Sequence, residues 1–432
     1  MDSKKFEGFY KKTIKERQEI LAKEFSLTEE EKKLLTTETN LPISNADKMI
    51  ENVVGTYSLP FGVATNFVID KKEYLIPFVL EEPSVVAAAS NAAKLSNGFI
   101  TKTDEPIMIG QIMITGTQNP EIVLKKILES KKEILKEAEK VDSVLTKFGG
   151  GPRDLKGEIL NTPTGKIIEL QLLVDVRDAM GANAINTMTE KITPIIEKIS
   201  GGKALMRIIS NLAIYRKAQA KTIWTKQKLE ESTKGKIKGE EIIDRIIQAY
   251  EIAVSSPFRA ATHNKGIMNG IDSLTIATGN DFRGVEAGIH SYAAYKEKGK
   301  YSPLTKYYKN ENGDLVGEIE LPITLATIGG TAKLNPMASL SLKILGVKNS
   351  KELASIAASV GLAQNFAALR AIVTTGIQAG HMKLHARALA TQAGAKENEI
   401  EQVAEEMINS KEINQANAEK IIKKIRDKSL NN

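Results

Sequence analysis

From Ile168 to Val176 the chain alternates: Ile168, Leu170, Leu172, Val174 and Val176 are apolar, with Glu169, Gln171, Leu173 and Asp175 between them. A period of two predicts a half-buried strand. The period then lengthens, because Ala182, Ile185, Met188, Ile192, Ile195 and Ile199 recur at helical spacing until Gly201-Gly202 stops them, with Asp178 as the expected N-cap and Pro194 as an expected kink. Ala204 to Ile209 reads as another strand, so this stretch is a strand-helix-strand unit of an α/β sandwich. Upstream, Tyr74 to Leu80 is a candidate buried strand that runs through Glu81-Glu82-Pro83-Ser84 into the small-residue helix Val85 to Ala93. The first forty residues read as charged helices with a capping-box pattern at Ser26-Leu-Thr-Glu29, forming a docking arm, and Glu51 to Asn66 reads as turns and short strands. After Gly380 the chain becomes helical and charge-rich, and Ala418 to Lys428 is strongly amphipathic.

Composition narrows the class. The 432 residues are 42% hydrophobic and 26% charged, which describes an ordinary globular protein of two to three domains. The net charge is +7, but between Lys125 and Lys140 lysines alternate with glutamates, as on a solvated helix face. No arginine-rich tract interleaves with aromatics, so nucleic acid is disfavoured, while the basic balance suits a polyanionic small molecule. The absence of cysteine excludes disulfides, a cysteine nucleophile and thiolate metal sites. Met1 to Glu7 lacks the apolar core of a signal peptide and no run approaches the ~18 apolar residues of a membrane helix, so the expectation is a cytoplasmic protein without a membrane anchor.

Candidate chemistry concentrates in Phe258-Arg-Ala-Ala-Thr-His-Asn-Lys-Gly-Ile-Met-Asn-Gly270 and Thr278-Gly-Asn-Asp281. Lys265 and Asp281 sit there among small residues, and a lysine near a carboxylate can serve as a fixed cation beside a developing oxyanion. The plainer alternative is a helix start with an incidental lysine. Of the four histidines, His381 and His385 are four apart on one helix face, which fits an acid, a structural pair or a metal site; Met382 breaks the zincin pattern, and no metal is expected. Asp178-Ala-Met-Gly-Ala-Asn183 places a glycine at a helix start after a strand, where a phosphate can bind, and Gly149-Gly-Gly151 offers a second backbone contact or simply a tight turn. Neither a G-x-G-x-x-G run nor a Walker loop occurs, so a dinucleotide site would be of a non-Rossmann kind.

Glu51-Asn-Val-Val-Gly55, Glu81-Glu-Pro-Ser-Val-Val-Ala-Ala-Ala-Ser90, Asp178 to Asn183, the Lys265 segment, Thr278 to Asp281 and Gly380-His-Met-Lys-Leu-His385 stand in the order found in class II hydroxymethylglutaryl-coenzyme A reductases. The chain resembles that family over essentially its whole length. The resemblance implies an α+β fold: a large mixed domain (1–108 and 214–376) interrupted by a small ferredoxin-like, non-Rossmann cofactor domain (109–213), and a helical C-terminal flap (377–432). It implies reductive deacylation of 3-hydroxy-3-methylglutaryl-CoA to mevalonate and coenzyme A by two hydride transfers from NADPH, with NADH possible. The reverse oxidation of mevalonate, a CoA-thioester hydrolase or acyltransferase, and a non-enzymatic helical scaffold are the rival readings.

By the same resemblance Glu82, Lys265, Asp281 and His381 are catalytic: Lys265 for the oxyanion, Glu82 as proton donor, Asp281 to hold the lysine, His381 to protonate the departing thiolate. Ser84, Arg259, Thr262, Asn269 and Asn211 would bind substrate, and Asp178, Met180, Gly181, Asn183 and Lys147 the cofactor. Pro152 stands where many relatives carry cysteine. A homodimer with shared active sites, or a trimer of dimers, is implied, with the Glu51 to Gly55 segment near the interface.

Overall fold

The computed structural model describes residues 6–37, 41–329, 334–374, 376, 386–410 and 412–430. The strands are β1 (Phe61–Ile69), β2 (Lys72–Val79), β3 (Ser96–Thr103), β4 (Ile107–Thr115), β5 (Gly151–Thr162), β6 (Gly165–Asp175), β7 (Lys203–Ser210), β8 (Lys217–Trp224), β9 (Thr305–Lys309) and β10 (Leu315–Pro322). They build two sheets, a six-stranded one in the order β2-β1-β3-β8-β10-β9 and a four-stranded one in the order β5-β6-β4-β7. The fold is α+β. Because β3 pairs with β8, residues 107–210 are an insertion between two neighbouring strands of the large sheet.

The small sheet is antiparallel throughout; three short helices, Pro120–Glu129, Lys131–Glu139 and Ser143–Lys147, join β4 to β5, and the single Ala182–Ser200 helix joins β6 to β7. Ile168, Leu170, Leu172, Val174 and Val176 are all fully buried against Ile185, Met188, Ile192 and Ile196 of the Ala182–Ser200 helix. That helix continues through Pro194 to Ser200, and its buried stripe runs to Ile196 while Ile195 and Ile199 are only partly covered. Its N-cap is Gly181, at φ 95°, not Asp178. A side chain at Gly181 would be strained at that φ, and a Cβ there would lie 2.3 Å from Val176 Cγ1, so glycine is required twice over. Pro152 opens β5, an edge strand, beside a bulge between Pro152 and Asp154, where a missing N–H is tolerated.

The large sheet is covered by the Ser350–Val373 helix, which, against the expectation that no run approaches a membrane helix, is long and apolar enough to cross a membrane; most of it is buried, as in a core helix. Trp224 of β8 stacks on its Phe366 at 3.8 Å between ring centroids and donates its indole N–H to Ala92 O at 3.0 Å. The Pro257–Ala277 helix crosses the same element, and a Cβ on Gly270 would lie 2.7 Å from Val360 Cγ1. Gly270 in the Lys265 stretch therefore makes room for a helix crossing, not for a ligand.

At the N-terminus the helices Ile14–Glu24 and Glu29–Thr36 carry capping boxes at Thr13/Glu16 and Thr28/Glu31, so the expected box at Ser26 lies two residues further on. Phe6, Phe9, Leu21 and Leu27 share a core with Leu75, Met337, Leu340 and Ile344. The helices Ile400–Ser410 and Gln415–Leu430 close a separate core around Val403, Ala404, Met407 and Ile421.

Candidate active site

Lys265 is not at a helix start; it sits in the middle of the Pro257–Ala277 helix, whose N-terminus is set by Ser256 capping the Arg259 amide and by Pro257 at the first position. One face of this helix carries Thr262, Lys265, Asn269 and Asp272, spaced three or four apart and therefore aligned. Opposite it, β2 ends at Val79 and the chain turns through Glu81 and Glu82 into the Val85–Leu95 helix. Ser84 caps that helix in the left-handed conformation, φ 72°, a strained state for a serine and one that clusters at functional sites.

The turn delivers Glu82 onto the helix face. Lys265 Nζ donates to Glu82 Oε2 at 2.7 Å, and Asn269 Nδ2 to Oε1 at 3.5 Å. These three residues line a cleft of about 600 Å³ together with Glu81, Asp272, Phe282, Arg283 and Glu286. A cation and a carboxylate in direct contact can stabilise a developing negative charge and pass it a proton.

Asp272, which the sequence reading passed over, is the other titratable feature of the cleft. Burial, and then hydrogen bonding and repulsion from Glu286, push its carboxyl up to about 8, so the pair holds a proton at neutral pH. Its signal was the seven-residue spacing from Lys265. Glu286 Oε2 also lies 3.8 Å from His290 Nε2, whose Nδ1 is 2.7 Å from Tyr301 Oη. His263, by contrast, is a core histidine, buried against Thr305 Oγ1 at 2.6 Å and held neutral by burial and by the nearby Arg259 and Lys296 charges, which lower its pKa to about 3.

Not every candidate reaches the cleft. Asp281 is the N-cap of the Phe282–Tyr295 helix, accepting from the Gly284 amide at 3.2 Å, with Arg283 Nη2 3.7 Å away. Asn211 meets it there: a Cβ on Gly284 would lie 2.8 Å from Asp281 Oδ2 and 3.2 Å from Asn211 Oδ1, and one on Gly288 would lie 2.4 Å from Asn211 O. The two glycines let the loop after β7 press onto this helix, so Asp281 and Asn211 form a unit of their own beside the Glu82–Lys265 contact. Arg259 and Thr262 lie N-terminal to Lys265 on its helix, half-buried and exposed respectively. His381 and His385 lie outside the described residues.

The candidate cofactor residues gather at the end of β6. Gly181 gives the Ala182–Ser200 helix no side-chain cap, so its first amides are open to an anion. Arg153 and Arg177 both donate to Gly149 O and both pair with the buried Asp175, at 2.9 and 3.0 Å, which ties the triple-glycine loop beside this turn. Arg153 is thereby committed to Asp175, leaving the exposed Lys147 as the outward cation of the two that flank the loop. The Asp178 carboxylate accepts from the Ser350 amide at 2.8 Å, and its carbonyl from Thr327. Thr327-Ile-Gly329, a run the sequence reading passed over, is drawn to the same turn. Among the described residues no group of three or more His, Asp or Glu side chains is placed to hold a metal ion.

Comparison with known proteins points one way. The sequence profile of the hydroxymethylglutaryl-coenzyme A reductase family matches residues 13–386. The chain is 51% identical over 427 residues to the 3-hydroxy-3-methylglutaryl-coenzyme A reductase of Archaeoglobus fulgidus, covering 98% of this chain and 95% of the relative. It is 38% identical over 346 residues to a probable reductase of the same name from Borreliella burgdorferi, covering 78% and 76%. Its fold superposes, with a TM-score of 0.80 and 41% identity, on the class II reductase of Streptococcus pneumoniae solved with NADPH bound in open conformations, covering 96% of this chain and 100% of that one.

Proposed function

Because the chain belongs to the hydroxymethylglutaryl-coenzyme A reductase family, in its class II, and reduces 3-hydroxy-3-methylglutaryl-CoA to mevalonate with NADPH, we propose that the Glu82–Lys265 contact is the centre of that reaction. The observation that carries this reading is the 2.7 Å bond between two residues 183 positions apart, inside a cleft with Asn269. Bound nicotinamide supplies the two hydrides. Each hydride leaves negative charge on the carbonyl oxygen, which the Lys265 ammonium stabilises, and Glu82 gives that oxygen its proton at the aldehyde stage. Arg259 holds the free carboxylate of the substrate bidentately, and Ser84, Thr262 and Asn269 position the remainder. His381 protonates the departing thiolate from a C-terminal flap, 377–432.

The small sheet is read as a ferredoxin-like cofactor domain (109–213) set into the large one (1–108 and 214–376); its strand order β5-β6-β4-β7, with helical connections after β4 and β6, and its separate core support this. Asp178, Met180, Gly181 and Asn183 hold the cofactor at the open helix N-terminus, with Lys147 beside them. Asp281 and Asn211 complete the site from a partner subunit in a homodimer. In support of a partner, Val54 and Tyr57 stand 101% and 92% exposed in a segment that a second subunit would cover.

The test is the absorbance of NADPH on adding 3-hydroxy-3-methylglutaryl-CoA. Two NADPH should disappear per coenzyme A thiol released; thiol release without NADPH loss would make the protein a thioesterase instead.

A further inference from the structure

The turn between β6 and the Ala182–Ser200 helix gives three consecutive carbonyls to the large-sheet side of the molecule. Arg177 O accepts from Ser350 Oγ at 3.0 Å, Asp178 O from the Thr327 amide at 3.0 Å, and Ala179 O from Arg216 Nη1 at 3.0 Å. Two of these donors are a hydroxyl and a backbone amide. The third is a guanidinium, and it is 5% exposed.

Arg216 lies on the return from β7 to β8, at the junction of the two sheets. Its second nitrogen, Nη2, donates to Leu325 O at 2.5 Å, just before the Thr327 run, and its own carbonyl accepts from the Ile323 amide at 3.0 Å. The fork thus spans the Ala179 turn and the chain leaving β10. Burial lowers its pKa to about 10 even though Asp178 and Asp175 pull the other way. A buried cation met by two neutral carbonyls is a costly way to fill space, and an apolar side chain of the same size would fill it at less expense in desolvation. What an apolar residue lacks is two rigidly spaced donors.

We propose that Arg216 is a positioning residue for the cofactor: through Ala179 O it fixes the turn from which Gly181 launches the helix whose first amides face the cofactor's phosphate. The inference rests on the reading of Asp178 to Asn183 as the cofactor turn. Its sense is specific. Losing the fork loosens the turn and weakens cofactor binding, while the Glu82–Lys265 cleft, built on other elements, is left as it was.

Arg216→Lys keeps the charge and most of the volume but cannot reach both carbonyls, and Asn183→Ala removes a proposed cofactor contact from an exposed position in the first turn of the Ala182–Ser200 helix. Three quantities are measured on the full chain: the Kd for NADPH by fluorescence titration, KM for NADPH and for the thioester, and amide hydrogen exchange over residues 179–184 without ligand. Arg216→Lys should raise the NADPH Kd roughly tenfold to hundredfold, as for a lost hydrogen bond from a charged donor. It should leave thioester KM within about twofold and speed exchange across the turn alone. Asn183→Ala should weaken NADPH without altering that exchange. If Asn183→Ala weakens NADPH and Arg216→Lys does not, the role of Arg216 is overturned by itself. If neither does, the cofactor reading has failed and the inference falls with it. Equal loss of thioester and NADPH affinity in Arg216→Lys would show general damage and also overturn it. Arg216→Met should show a larger NADPH effect; should it not fold, Arg216→Lys decides the matter.

Discussion

Replacing Lys265 by alanine separates what the residue does for the fold from what it does for the reaction. Its Nζ lies 2.7 Å from Glu82 Oε2, but the lysine side chain is 60% exposed and the glutamate 36%. Ion pairs this open contribute ~0–1 kcal/mol to stability, and alanine is at least as good a helix former at that position. The melting temperature should therefore fall by no more than about 2–4 °C. Catalysis is another matter, because the oxygen becomes anionic at both hydride transfers. Loss of one preorganised donor to an oxyanion costs on the order of 100- to 1000-fold in rate, about 2.7–4 kcal/mol. The assay follows NADPH absorbance with two substrates in parallel, 3-hydroxy-3-methylglutaryl-CoA and free mevaldehyde, alongside thermal unfolding of the same preparation. Both reductions should fall together while the unfolding curve hardly moves. Near-normal mevaldehyde reduction would refute the oxyanion role, and a collapse in stability matching the loss of rate would reassign the lysine to structure.

His381→Gln should behave differently: thioester reduction slows by roughly 100- to 10,000-fold, the range for a lost general acid, while mevaldehyde reduction, which expels no thiolate, largely survives. Equal losses in the two assays would remove His381 from that role. Asp272→Asn tests the acid pair. The folded Asp272–Glu286 pair retains a proton, with Asp272 raised from 3.8 to about 8, so the folded state binds more protons than the unfolded one across that window. The pair's contribution is thus full below about pH 4 and is lost as pH rises through about 8. Relative to the parent, Asp272→Asn should gain melting temperature steadily between pH 5 and 8.5; parallel curves would show that the pair does not share a proton.

Much of this architecture was legible because the two periodicities are clean. The alternation from Ile168 to Val176 marked β6 to within a few residues, but the strand is not half-buried as expected: Glu169, Leu173 and Asp175, between the apolar positions, are buried too, because β6 lies inside the sheet and is covered on both faces. The helical recurrence from Ile185 onward was equally clear, but its start was not: a carboxylate at Asp178 looked like an N-cap because the sequence cannot show that its side chain is taken by Ser350, 172 residues away. The glycine-rich setting of Lys265 left a helix start open, whereas the lysine sits in the middle of a 21-residue helix. The tertiary reason for Gly270, contact with Val360 on another helix, is invisible in a local window. Of the candidate site, Glu82, Lys265 and Asn269 do come together, whereas Asp281 joins Asn211 at a separate spot and His381 lies outside the described residues. Asp272 escaped notice because aspartate on a helix is ordinarily solvated; its burial in the cleft, and then the approach of Glu286 from the next helix, make it unusual.

The insertion of β4–β7 between the adjacent strands β3 and β8 sets an order of events on the ribosome. By the time Ser210 has emerged, the four-stranded sheet possesses every strand and the helices that cover it, and can condense on its own core. The six-stranded sheet cannot. At that moment it holds only β1, β2 and β3, with Trp224 unmade and Phe366, the ring that must stack on it, still more than a hundred residues from synthesis. The early half of the large core therefore waits, apolar and unfinished, beside a completed neighbour, and its closure demands contacts of long sequence separation, the slowest kind to form. The small body thus arrives as a finished piece that carries β3 and β8 at its two ends and, by folding first, brings those strands to pairing distance, shortening the search that the rest of the protein has to make.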